Sequence, residues 1–197
     1  MPKIINTLGN EVAGLLRDGR LGIIPTDTVY GLVCSAANQQ TVERLYKLKS
    51  RENKPGTIIA ASVEQLAGLG IKARYLKAVE HFWPNPISII IPTGFDLPYL
   101  HLGKMSLAVR IPKNTKLLQL LDSTGPLLTS SANHPGEPEA ATIEQAIRYF
   151  GDEVDFYVDG GDLSGRKPST LIRIVDDAIE VLRQGAVNID EAGRILD

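Results

Sequence analysis

Thr57-Ile58-Ile59-Ala60-Ala61-Ser62-Val63-Glu64-Gln65 is the stretch on which the fold class turns. Thr57 to Ala61 is β-branched and small apolar, the composition of a buried strand. Ser62-Val63-Glu64-Gln65 follows at once and fits a capping box, in which the serine hydroxyl and the glutamine amide satisfy the first free N–H groups of a helix. A strand that passes directly into a helix is the building unit of an α/β sheet. Thr142-Ile143-Glu144-Gln145 repeats the capping signal and opens a helix to about Phe150.

Outward from that stretch the alternation continues. Val12 to Arg17 is a short amphipathic helix, with Asn10 as its expected cap. Leu21 to Pro25 is a buried strand that ends at a proline. Gln40 to Lys49 is helical, with Val42, Leu45, Tyr46 and Lys49 on one face. Arg74 to Phe82 is a helix stopped by Pro84. Ile87 to Ile91 and Ser106 to Ile111 are strands, Thr115 to Leu121 a helix, and Pro126 to Thr129 a short strand. Phe156 to Val158, Thr170 to Val175 and Ile179 to Leu182 complete the strands, with Asp176-Asp177 turning the last two into a hairpin. Some neighbouring strands have no helix between them. The expected fold is therefore α/β (α+β): one domain over residues 1–197, with a twisted mixed parallel/antiparallel sheet wrapped by helices.

The 197 residues are 43% apolar and 22% charged, as in an ordinary globular domain. The longest apolar run, Ile87 to Ile91, is far short of a membrane span. Met1-Pro2-Lys3-Ile4-Ile5-Asn6 has no signal-peptide core, and a lone cysteine, Cys34, excludes an internal disulfide framework. A cytoplasmic protein without membrane contact is expected. The net charge of −2 and pI of 5.9 argue against a surface that grips nucleic acid as a whole. One local basic cluster stands out: Lys47, Lys49, Arg51 and Lys54 fall within eight residues. It reads as a solvated helix end or as an anion site.

Most familiar catalytic sets are absent. His81, His101 and His134 have no metal-ligand spacing and read as surface or loop residues. There is no GxSxG elbow, no P-loop and no GxGxxG. Cys34 reads as a small buried hydrophobe. Polar segments at strand ends remain. Pro25-Thr26-Asp27-Thr28-Val29-Tyr30-Gly31-Leu32 reads as a polar loop after a strand, a common place for function in α/β proteins. Thr129-Ser130-Ser131-Ala132-Asn133 offers hydroxyls and an amide, for a ligand or for a turn. Ser106 and Arg110 share one face of a strand, and a strand arginine costs desolvation unless it meets an anion. Hydroxyls, an amide and cations at strand ends suit a ligand carrying phosphate and carboxylate groups. They suit positioning and charge neutralisation better than acid–base chemistry.

These segments resemble the YrdC/Sua5 family in its short single-domain form. The resemblance rests on Pro25 to Leu32, on the KxR of Lys49-Ser50-Arg51, on the SxN of Ser131-Ala132-Asn133, and on Ser169-Thr170 with Leu182-Arg183-Gln184-Gly185. Trp83-Pro84-Asn85-Pro86 and Ser106 to Pro112 add to it, and it runs from about Ile5 to Val187, with no further C-terminal domain expected.

The resemblance implies a large concave basic cavity and the synthesis of threonylcarbamoyl-AMP and pyrophosphate from L-threonine, bicarbonate and ATP, with Mg2+ accompanying the ATP. The product would pass to a partner transferase that modifies adenosine 37 of tRNAs reading ANN codons. By matching position, Thr28, Arg110, Ser131 and Ser169 would contact threonine and Tyr30 would wall its pocket. Lys49 and Arg51 would hold phosphates and act in catalysis, with Lys54 as a third cation. Ser106, Asn133 and Arg183 would contact the nucleotide. No metal site made of protein side chains is implied. Arg51-Glu52-Asn53-Lys54 departs from the family's usual R-P-x-x-[KN], so Asn53 or Lys54 takes the last position. Two competing readings are an RNA-binding module using the same concavity without making an adenylate, and a diverged paralogue or hydrogenase-maturation-type carbamoyl-adenylate domain.

Overall fold

The chain in order forms β1 (Lys3–Ile5), α1 (Asn10–Arg17), β2 (Gly22–Pro25), β3 (Tyr30–Ser35), α2 (Gln39–Leu48), β4 (Thr57–Ile59), α3 (Val63–Gly68), α4 (Ala73–Val79), β5 (Ile87–Pro92), α5 (Pro98–His101), β6 (Ser106–Arg110), α6 (Thr115–Thr124), β7 (Leu127–Ser131), α7 (Ile143–Phe150), β8 (Phe156–Val158), β9 (Thr170–Val175), β10 (Ala178–Arg183), β11 (Asn188–Ile189) and β12 (Ile195–Leu196). This computed structural model describes residues 2–50, 54–176, 178–190 and 192–196. Arg51, Glu52, Asn53 and Asp177 therefore lie outside the described residues.

Ten strands make one mixed sheet in the order β1-β8-β2-β3-β7-β4-β6-β5-β9-β10, and β11 and β12 form a small pair of their own. Four pairs are parallel (β1 with β8, β2 with β8, β4 with β6, β5 with β9), and the remaining neighbours in the sheet are antiparallel. Side chains alternate across the sheet, so each strand feeds two cores. On one face Ile23, Leu32, Ile58, Leu128, Val109 and Ile89 pack under α2, α3, α4 and α7. On the other face Ile24, Val33, Ile59, Leu127 and Phe156 pack under Val12 and Leu16 of α1 and Leu117, Leu120 and Leu121 of α6.

That second layer stops short. Ile90 of β5, Ser106, Ala108 and Arg110 of β6, and Leu171 of β9 share the face that α1 and α6 cover elsewhere, yet here they line an open concavity. The incomplete helical cover leaves the site.

Both capping boxes form, with one difference. Ser62 Oγ and Thr142 Oγ1 accept from Gln65 N and Gln145 N. Each glutamine, however, reaches one residue further back than a capping box requires, to the N–H of Ala61 or Ala141. Three sequence expectations are corrected. Asn10 is inside α1 rather than its cap, because Gly9 occupies the cap position with no side-chain bond. Pro25 to Leu32 is not one loop: residues 26–29 close a tight antiparallel hairpin, and Tyr30–Ser35, with Cys34 within it, is a buried strand. His101 is buried, with Nδ1 accepting from Gly103 N.

Candidate active site

The concavity encloses about 500 Å³. Of the residues singled out by sequence, Thr28, Tyr30, Lys54, Ser106, Arg110, Ser131, Ser169 and Arg183 all line it. They come from six separate strands or the segments next to them, with sequence separations of up to 155 residues between Thr28 and Arg183. Thr129, from the segment singled out for its hydroxyls, lines it too, and Lys104 and Glu139 line it without having been foreseen. Among the described residues its charged lining is four cations (Lys54, Lys104, Arg110, Arg183) against one carboxylate, Glu139.

Arg110 is the deepest charge. It is 3% exposed, and its Nη2 lies 3.2 Å from Asp27 Oδ1. Asp27 Oδ2 accepts from Lys113 N at 3.2 Å. Arg110 Nε, in contrast, is buried without a hydrogen-bond partner. Burial pulls the Arg110 pKa below its ordinary value; Asp27 opposes that and Arg183 adds to it. A buried guanidinium with an unpaired N–H is held at a cost that a bound carboxylate relieves.

Hydroxyl side chains line the same cavity. Thr26 Oγ1 donates to Val29 O and accepts from Thr28 N. Its one proton is therefore committed, so in the 3.0 Å contact between the two hydroxyls Thr28 is the donor. The remaining lone pairs of Thr28 Oγ1 can accept from a ligand amine or hydroxyl. Gly31 lies in the lining because a Cβ there would stand 2.6 Å from Thr129 Oγ1. The Tyr30 ring is in the core while its hydroxyl accepts from Gly160 N and donates to Gly161 O, tying the 160–161 segment to the wall. Burial raises the Tyr30 pKa, which keeps the phenol neutral.

The Ser169-Thr170 and Arg183-Gln184-Gly185 motifs are one unit. Arg183 donates from Nη2 and Nε to Ser169 O, 14 residues away, and Ser169 Oγ sits 2.8 Å from Ser88 Oγ. Thr170 Oγ1 accepts from Gly185 N at 3.0 Å and also bonds Val187 O. The approach is so close that a Cβ on Gly185 would lie 2.2 Å from Pro168 O and 2.6 Å from the Ser169 carbonyl carbon. Backbone must then move. Gly185→Ala is expected to lower stability by roughly 1–3 kcal/mol, the cost of forced overpacking. At roughly 2–4 °C per kcal/mol the thermal midpoint should drop by about 2–12 °C, measured by calorimetry.

The KxR and SxN motifs meet differently from a solvated basic patch. Lys49 follows α2 and is only 4% exposed. Its Nζ donates to Ser131 O and Asn133 Oδ1, both at 2.9 Å, and to Asn133 O. Asn133 Oδ1 also accepts from Ser131 Oγ at 2.7 Å, and its Nδ2 donates to Glu137 O. Lys49 and Asn133 are thus joined to each other beside the cavity, and neither is among the residues lining it. Arg51 lies outside the described residues. Among the described residues no group of three or more His, Cys, Asp or Glu side chains that could hold a metal ion occurs.

The Sua5_yciO_yrdC family model, described as "Telomere recombination", matches residues 14–185. The chain belongs to that family. It is 32% identical over 196 residues to a putative threonylcarbamoyl-AMP synthase of Methanocaldococcus jannaschii, covering 98% of this chain and 90% of the relative. It is 36% identical over 165 residues to the threonylcarbamoyl-AMP synthase of Pseudomonas aeruginosa, covering 82% and 89%. Among solved structures, Pyrococcus abyssi Sua5 complexed with L-threonine superposes with a TM-score of 0.82 at 30% identity, over 93% of this chain. This chain spans 58% of that longer one. No helix of the described residues is long and apolar enough to cross a membrane.

Proposed function

We propose that this chain is an L-threonylcarbamoyladenylate synthase, a nucleotidyltransferase that joins L-threonine, bicarbonate or CO2, and ATP into threonylcarbamoyl-AMP with release of pyrophosphate. The observation that carries the reading is Arg110: a buried guanidinium with its Nε unpaired, in a cavity that Thr28, Ser131 and Ser169 also line. That set matches an amino acid whose carboxylate meets the arginine and whose amine and hydroxyl meet oxygen acceptors. The names of the full-length relatives agree with it.

The chemistry needs alignment rather than a protein acid or base. The threonine amine adds to CO2, losing a proton, and gives a carbamate. A carbamate oxygen attacks the α-phosphorus of MgATP, the bond from that phosphorus to the bridging oxygen breaks, and pyrophosphate leaves with the electron pair. Developing negative charge on the phosphate oxygens calls for fixed cations. Lys54, Lys104 and Arg183 line the cavity for that purpose, with Lys49 and Arg51 assigned to the phosphates as well. Ser106 and Asn133 would position the nucleotide. The product would be consumed by a transferase acting on position 37 of tRNA, in the cytoplasm.

Incubation with 13C-bicarbonate, L-threonine and MgATP, followed by mass spectrometry, tests the assignment. A threonylcarbamoyl-adenylate carrying the label is expected; bound ATP with no labelled adenylate would favour a binding module. Ser131→Ala should raise KM for threonine about 5- to 10-fold, the worth of one hydrogen bond, and KM for ATP by less than about 2-fold. Steady-state kinetics with each substrate varied checks this.

A further inference from the structure

Asp27 stands in none of the roles assigned above, yet its placement is singular. It sits at the tip of the β2–β3 hairpin, between Thr26 and Thr28. Its side chain is 2% exposed and reaches residues of a strand 83 positions later. Oδ1 lies 3.2 Å from Arg110 Nη2, and Oδ2 accepts from Lys113 N just past the end of β6. β2 and β3 belong to one part of the sheet and β6 to the other, with β7 and β4 between them. The aspartate therefore joins the hairpin carrying Thr28 directly to the strand carrying Arg110, at the edge of the cavity both of those residues line.

The consequence is geometric. The fork of Arg110 has two sides, and Asp27 takes a terminal nitrogen. The contact is an ion pair rather than a directed hydrogen bond, since Asp27 Oδ1 and Arg110 Nε are both buried without a hydrogen-bond partner, so the carboxylate holds the guanidinium by charge and leaves Nε open. The same aspartate fixes how far Thr28 stands from Arg110. A ligand gripped at both points experiences one spacing, set by one carboxylate. A buried ion pair is weak evidence for stability on its own, since desolvation offsets most of the attraction, so its value here is orientation.

We propose that Asp27 is a positioning residue for the amino-acid substrate: it orients Arg110 and spaces it from Thr28, so that the carboxylate and the amine or hydroxyl of L-threonine are held together. This rests on the reading that Arg110 receives the threonine carboxylate. Other charges face the pair. Arg183 lies close enough to repel Arg110, and Arg166 and Lys167 border a smaller pocket on the outer side of Asp27 and Thr28. Removal of the carboxylate at position 27 leaves Arg110 facing the like charge of Arg183 without its ion-pair partner.

Asp27→Asn is nearly isosteric and has one oxygen in place of two. It can serve Lys113 N or Arg110, but not both. KM for L-threonine should rise about 10- to 100-fold, with KM for ATP changed by less than about 2-fold. Asp27→Ala should be worse for threonine in the same direction. Equal losses for both substrates, or a fall in melting temperature alone, would overturn the proposal in favour of a merely structural ion pair.

A second readout needs no substrate. In a 15N spectrum the Arg110 Nε–H signal, assigned by its loss in Arg110→Lys, should be distinct and slow to exchange in the parent chain, and should collapse toward free-arginine values in Asp27→Asn. An unchanged signal would overturn the orienting role whatever the enzyme does. If the signal collapses while the parent protein binds no threonine by calorimetry, the orienting role stands, the assignment of threonine as its beneficiary falls, and the functional reading falls with it.

Discussion

Arg110→Ala is expected to reduce kcat/KM for L-threonine by about two to three orders of magnitude, corresponding to roughly 3–4 kcal/mol. Two losses combine. The proposed carboxylate site loses a cation whose Nε has no protein partner, and Asp27 is left buried without its ion-pair partner. Breaking a buried pair from one side costs roughly 3–5 kcal/mol of stability, so the alanine variant should also melt earlier. Arg110→Lys separates these effects. It keeps a charge near Asp27 but lacks the fork, and it should fold well while losing at least about tenfold in threonine use. Steady-state kinetics beside thermal unfolding of both variants checks this. Near-normal threonine kinetics in a folded Arg110→Lys would remove the two-point grip from the account.

Lys49→Ala is expected to have the second large effect, and the structure changes its expected form. If Lys49 acted only on phosphates, the variant would lose roughly 2–4 kcal/mol of transition-state stabilisation and show the defect toward ATP. Its amine, however, is bonded to three oxygens of the SxN loop. Removing it takes one donor from each of the three; Ser131 O keeps Asn133 N and Asn133 Oδ1 keeps Ser131 Oγ, so the loss falls chiefly on Asn133 O and on the position of the loop, and a lost partner costs about 1–3 kcal/mol. Ser131 is assigned to threonine and Asn133 to the nucleotide, so use of both substrates should fall together, by at least about 100-fold in kcat/KM. Lys49→Arg should not rescue, because a planar fork cannot serve three acceptors grouped around one ammonium. A defect confined to ATP would return Lys49 to a purely phosphate-binding role.

The legible and illegible parts of this chain divide along physical lines. Local signals were readable. Ser62 and Thr142 cap their helices through neighbours three residues on, and such bonds are written in a four-residue window. Ile87 to Ile91 and Phe156 to Val158 are strands because β-branched and aromatic runs bounded by turns admit little else. Ser106 and Arg110 share a face because a strand alternates, and both line the cavity.

Where two signals conflicted, the reading failed. Tyr30 to Ser35 is buried almost throughout, so it lacks the polar alternation of a half-exposed strand. It follows a Thr-Asp-Thr turn without a break, and the turn masked the strand. Asn10 is a good cap residue, but Gly9 precedes it and takes the extended conformation there. Lys49 looks solvated from composition alone, as most lysines are. Only the partner loop, more than 80 residues away, shows why it is buried. Asp27 and Arg110 are likewise joined by tertiary structure alone. The residue types at the site were readable from the motifs; the assignment of each to a wall, a bond or a ligand needed the fold.

Pyrophosphate release from MgATP, measured with L-threonine and bicarbonate supplied together, singly and not at all, tests the central claim most directly. Release that requires both is the predicted result, since the carbamate must exist before the α-phosphorus is attacked. Release that proceeds without threonine, or tight ATP binding with no release under any of the four conditions, would contradict it.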